Sequence, residues 1–161
     1  MRTELLATPD DLQAWAQEGH LVDHMVAPSR QDVEEAVALR EAVYRSVQAA
    51  TSTGTAPIDD EIDLLNSLAS GPLPMVSLVG PSATRSQGSF ANVASLLARD
   101  VIELIGSEDL PKVKECANTD CTRLFVDHSR GMSRRWCGMA ECGNKAKAAV
   151  YRQRKKLRDH A

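Results

Sequence analysis

Cysteine is absent from the first 115 residues of this 161-residue chain, and aromatic side chains make up only 4% of it. The first absence denies that stretch any thiol chemistry. The second requires a core built mainly from Leu, Val, Ile and Ala. No apolar run approaches the ~20 residues that a membrane span needs. Residues 1–10 turn polar too early for a secretory signal, so a cytoplasmic protein with no membrane partner is expected. Internal repeats, low-complexity tails, a glycine-rich phosphate loop and a recognisable nucleophile motif are all missing. His20 and His24 lie among many carboxylates, but no catalytic pattern joins them, and the chain is expected not to be an enzyme.

Positive charge is also scarce over most of the chain. Residues 1–111 hold 6 Lys+Arg against 17 Asp+Glu, a net of −11, whereas residues 112–161 hold 13 against 5, a net of +8. This asymmetry marks two domains, 1–110 and 111–161, and it suggests a nucleic-acid-binding part attached to something else.

The acidic domain reads as mainly helical. Thr8-Pro9-Asp10-Asp11 is a start signal, with a threonine cap, proline at the first helical position and an acid three residues after the cap. Leu12, Trp15 and Ala16 then give a short apolar face that Gly19 stops. Ser29-Arg30-Gln31-Asp32 repeats the capping pattern and opens a longer helix, with Val33, Ala36, Val37, Val43, Tyr44 and Val47 on one stripe. Arg40 lies on that stripe, where its head must snorkel or find a carboxylate. Residues 51–57 are a loop by composition. A third helix covers Asp59 to Ala69, with Ile62, Leu65 and Leu68 inward. One small β-hairpin is expected next, pairing residues 74–79 with Thr84-Arg85-Ser86 across Gly80-Pro81-Ser82. From Ser89, residues Val93, Leu97, Val101, Leu104 and Ile105 form an apolar stripe that Gly106 closes.

All four cysteines fall in the basic domain, as Cys116-x4-Cys121, fifteen residues, then Cys137-x4-Cys142. Two close pairs with a short spacer suit a tetrahedral Zn²⁺ site, since each pair supplies two thiolates from one turn. In a reducing compartment such pairs are metal ligands before they are disulfides. Four thiolates complete the tetrahedron, which leaves His128 out of it and gives no open position for hydrolysis. Residues 124–127 read as a strand, residues 129–132 as a turn, and residues 134–137 as the returning strand. A second knuckle then leads into a helix. Knuckle, hairpin and helix around one zinc describe a treble-clef-like finger, with Phe125 and Trp136 as its apolar cap.

On the last helix Ala146, Ala149, Val150 and Leu157 form a narrow apolar stripe, with Gln153 among them. Lys147, Tyr151, Arg154 and Arg158 line another face, flanked by Lys155. With Arg134 and Arg135 on the hairpin, that face suits phosphates or a major groove.

Cys116-x4-Cys121, Leu124-Phe125-x-Asp127-x-Ser129, Arg134-Arg135-Trp136-Cys137 and Cys142-Gly143-Asn144-Lys145 resemble the CGNR zinc finger, named for the tetrapeptide at its fourth ligand. Lys145 stands where the motif has arginine, keeping the charge but losing the bidentate fork. Leu5-Leu6-Ala7-Thr8-Pro9-Asp10-Asp11-Leu12-x-x-Trp15 is similar to the helical ABATE domain that precedes this finger in bacterial proteins described as stress-induced transcription regulators. The resemblance implies zinc as cofactor and DNA as partner; Asn144 and Lys145, at the helix start, are the residues expected to read bases. It also implies an N-terminal domain that binds a small-molecule effector or forms a homodimer. Rival expectations are an RNA-binding finger and a protein-interaction module with a structural zinc.

Overall fold

The computed structural model describes residues 4–52 and 58–159, with side chains at all of these except 52, 141, 153, 154, 156, 157 and 159. The chain divides into two compact units, Met1–Glu108 and Asp109–Ala161.

In the first unit, α1 (Pro9–Glu18) begins at the expected capping box. The Asp11 N–H donates to Thr8 Oγ1 at 3.2 Å, and the Thr8 N–H donates to the Asp11 carboxylate at 2.9 Å. Such a cap is worth about 1 kcal/mol. Leu12 and Ala16 are fully buried, but Trp15, assigned to the same face, is 39% exposed. The helix ends at Gly19, although the residue that takes the left-handed conformation is His20, at φ 55°.

Helix α2 (Arg30–Ser52) opens on the reciprocal bonds between Ser29 and Asp32. It buries Val33, Ala36, Leu39, Ala42 and Val47, and Leu39 and Ala42 extend the stripe read from sequence. Thr51 and Ser52 are helical rather than loop, with Thr51 Oγ1 donating back to the Val47 carbonyl at 2.8 Å. Residues 53–57, the rest of the expected loop, lie outside the described residues. Arg40 finds its carboxylate in Glu4, at 2.8 and 3.0 Å. The Arg40 guanidinium holds the Glu4 pKa down to about 2, but the pair is nearly half exposed and stabilises by less than about 1 kcal/mol.

Helix α3 (Asp59–Ala69) has three acids in its first turn, where they complement the helix dipole. Leu65 is buried, and so is Glu61, which Arg45 of α2 neutralises.

Strands β2 (Met75–Gly80) and β3 (Ala83–Gly88) form the expected hairpin, with Ser77 opposite Arg85 and Leu78 opposite Thr84. The sheet has a third strand that the sequence pattern did not reveal. β1 (His24–Met25) pairs parallel to β3, giving the order β1-β3-β2. Two residues are too short to show alternation, and the pairing crosses more than 60 positions. Glycine is required at position 88, where a Cβ would sit 2.9 Å from Asn92, the residue whose Oδ1 caps Ser89.

Helix α4 (Phe90–Ile105) buries Phe90, Val93, Ala94 and Ala98. Of the expected stripe only Val93 is fully buried; Leu97, Val101, Leu104 and Ile105 are half-buried. The main core joins Leu6, Leu12, Val33, Leu39, Leu65 and Phe90, and a second cluster joins Ala16, Val22, Met25 and Val93.

The second unit contains a 3₁₀ turn (Leu110–Lys112), β4 (Val113–Glu115), β5 (Leu124–Val126), a π-helical turn (Met139–Gly143) and α5 (Asn144–Asp159). Its hairpin differs from the expected one. β5 pairs with β4, placing Lys114 opposite Phe125, and residues 134–137 are not a strand. β4 runs directly into Cys116, and the Cys116 N–H to Arg123 carbonyl bond at 3.1 Å carries the ladder to the base of the first knuckle. Residues 134–137 cross beside that knuckle, where the Ala117 N–H donates to the Arg135 carbonyl at 2.8 Å.

Candidate metal centre and nucleic-acid interface

The four cysteines, separated by up to 26 positions, converge with all their sulfurs within 4.8 Å of one another. Cys116 and Cys121 come from the turn that closes β4–β5. Cys137 follows the crossing segment, and Cys142 lies in the π-helical turn that feeds α5. Two Sγ–Sγ separations are 3.8 Å (Cys121–Cys137) and 3.7 Å (Cys137–Cys142). A tetrahedron with Zn–S bonds of about 2.3 Å has S···S edges of about 3.8 Å, whereas a disulfide would need about 2.05 Å. The donor set therefore fits a zinc ion and not a pair of disulfides.

The sulfurs also have supporting donors. The Cys137 N–H points at Cys116 Sγ and the Asn118 amide at Cys142 Sγ, each at 3.5 Å. Burial pushes the Cys137 thiol up to about 12 and raises Cys121 as well. Burial also opposes ionisation of Cys116, but the N–H groups of Cys137 and Asn118 outweigh it and hold that thiol at about 7. Zinc supplies the positive charge that keeps all four as thiolates and ties both knuckles together.

Around this centre the finger is held by one carboxylate. Asp127 is fully buried and accepts four hydrogen bonds: Lys114 Nζ at 2.7 Å, the Ser129 hydroxyl at 2.6 Å and N–H at 2.9 Å, and the Arg134 N–H at 3.0 Å. Led by the Lys114 ammonium, these donors hold its carboxyl far below the usual range. No local pattern signals this role for Asp127, because Lys114 lies 13 positions upstream and Arg134 lies 7 downstream. Its stabilisation is present above the unfolded carboxylate pKa of about 4 and is lost only in strong acid, so loss of structure in mild acid should follow from thiolate protonation. Asp127→Asn is expected to make zinc easier to strip with a chelator, since one amide oxygen cannot serve four donors. A titration indistinguishable from wild type would show the network to be dispensable.

Arg134 is committed to the finger's own frame. Its guanidinium stacks on Phe125 at 4.6 Å from the ring centroid and donates to the Trp136 carbonyl at 2.8 Å and to the Cys137 carbonyl. Arg135 lies over Trp136 at 5.3 Å. Asn144, Lys145, Lys147, Tyr151, Lys155 and Arg158 are all exposed on α5; the side chain of Arg154 lies outside the described residues. The apolar stripe expected to dock this helix is only partly covered. Ala146 is half-buried, Ala149 and Val150 are exposed, and the side chains of Gln153 and Leu157 lie outside the described residues. Trp136, Ala146, Lys147, Val150 and Tyr151 line an open groove of about 350 Å³. His128 stands apart from the sulfurs, 3.9 Å from Asp109.

Residues 112–155 match the CGNR zinc finger family, and residues 1–108 match the ABATE family, described as "Putative stress-induced transcription regulator". The chain belongs to the ABATE family. No curated protein matches it. In this ABATE chain the matched finger spans every ligand, and its cofactor is zinc. No helix among the described residues of the ABATE chain is long and apolar enough to cross a membrane.

Proposed function

We propose that this ABATE protein is a cytoplasmic bacterial transcription regulator that binds DNA through its zinc finger, while its acidic helical unit senses a small molecule or dimerises. The finger is read as treble-clef-like, a binding module with no catalytic role. One observation carries the reading. Lys147, Tyr151, Lys155 and Arg158 are exposed at three- and four-residue spacing on α5, a helix that begins two residues after a zinc ligand. A metal-anchored cationic helix in a segment of net charge +8 is suited to polyanions. Arg135, Asn144 and Lys145 stand at or near the same end, with Arg154 on the same face by sequence.

Contacts to phosphate and contacts to bases give different responses. Lys147→Ala or Arg158→Ala is expected to weaken binding to all duplexes alike and to flatten the log–log salt slope by about 1. Asn144→Ala or Lys145→Ala should instead cost about 1–3 kcal/mol on the preferred site and relax preference there. Fluorescence anisotropy on specific and scrambled duplexes separates these outcomes. An unchanged slope in Lys147→Ala and Arg158→Ala would contradict the interface.

A second reading, single-stranded nucleic acid including RNA, is favoured by the groove that Trp136 and Tyr151 both line, since unpaired bases stack on aromatic side chains. Tighter binding to single strands than to duplex in the same titration would select it.

A further inference from the structure

The β2–β3 hairpin carries a surface left without a role by the zinc finger. β2 is an outer strand of its sheet, and its far edge pairs with no other strand among the described residues. Exposed edges are usually guarded by charge, by an internal proline, by shortness or by a bulge, and the one such feature on β2 is the register shift between Leu78 and Gly80 at its end. The six residues Met75-Val76-Ser77-Leu78-Val79-Gly80 contain neither charge nor proline. Their side chains are bare on both faces: Met75 is 57% exposed, Val76 67%, Leu78 75% and Val79 50%.

We propose that this edge is a homodimer interface, in which β2 pairs antiparallel with β2 of a second copy about a two-fold axis at Ser77. The order of residues selects that occupant. Apolar side chains flank Ser77 symmetrically, so an axis there sets Met75 against the second copy's Val79 and Val76 against its Leu78. Every cross-strand pair is then apolar except Ser77 with itself, and no like charges meet, although residues 1–111 carry a net charge of −11. A C2 contact of this kind is self-complementary by construction. Pairing along this edge covers the unpaired N–H and C=O groups of β2 and the flanks of Met75, Val76, Leu78 and Val79, so the contact is smaller than a standard interface and a concentration-dependent monomer–dimer equilibrium is its expected signature.

This proposal deepens the dimerising role assigned to the N-terminal unit, and it is read without nucleic acid, so it can fail while DNA binding stands, and the reverse. The test uses the full zinc-loaded chain. Light scattering across a wide concentration range is expected to show a monomer–dimer equilibrium, and Leu78→Lys to be monomeric with unchanged helical circular dichroism. Antiparallel partners sit about 4.5–5.5 Å apart at Cα, within the span of a disulfide. Ser77→Cys should therefore give an oxidised dimer linked at residue 77 by peptide mass spectrometry, while Thr84→Cys, exposed on β3, should not. A wild-type monomer, including one that binds a different protein through Leu78, would overturn the proposal. So would a dimer that survives Leu78→Lys, or cross-linking through Thr84→Cys as readily as through Ser77→Cys. Absence of the Ser77→Cys cross-link in a chain that does dimerise would overturn it equally.

Discussion

Cys142→Ser is expected to reduce zinc from one ion per chain to a small fraction, and to unfold the finger while leaving α1–α4 intact. The reason is the composition of the finger's interior. Between Asp109 and Ala161 the only buried apolar side chains among the described residues are Cys116 and Cys142 themselves. Without an apolar core, this unit depends on metal coordination, which supplies about 10–16 kcal/mol in structural zinc sites. Removing one thiolate leaves three ligands and a weak hydroxyl donor. Elemental analysis reads the metal, and amide exchange reads the two units separately. A finger that kept its exchange protection after exhaustive chelation would contradict this dependence.

Phe90→Ala is expected to have the opposite pattern. Phe90 is 2% exposed in the main core of the first unit, packed with Leu12, Val33 and Leu65. Emptying such a site costs about 3–5 kcal/mol, a large part of the 5–15 kcal/mol that holds a typical domain. Urea unfolding followed by far-ultraviolet dichroism should shift to a much lower midpoint, with zinc still bound at one per chain. Loss of zinc together with the helices would show that the units do not fold separately.

The difference between these two variants follows what the sequence made legible. The zinc centre could be read because each pair of ligands is local, five positions apart with a four-residue turn between. The helix starts at Thr8, Ser29 and Ser89 could be read for the same reason: capping is a matter of three or four neighbouring residues. What escaped was pairing over distance. The partner of β5 is β4 rather than residues 134–137, because Val113-Lys114-Glu115 is too short to announce a strand, and β1, shorter still, has no legible pattern. Asp127, at the end of the expected strand, shows no local sign of its role, since only the folded hairpin brings Lys114 and the Arg134 N–H to its oxygens. Arg134, expected at a phosphate, also has its guanidinium on the Trp136 and Cys137 carbonyls, a frame role that no local pattern signals. Trp136 and Tyr151, 15 positions apart in the chain, line the same groove, which no local pattern announces.

The central claim, that the finger holds nucleic acid through the exposed cations of α5, is tested most directly by the salt dependence of duplex binding to the full zinc-loaded chain. Five or six neutralised phosphates give a log–log slope of about −5, so a fourfold rise in salt should weaken binding about a thousandfold. Affinity that stays flat from low to physiological salt would contradict the claim, and it would identify the cationic helix as a surface for a protein partner.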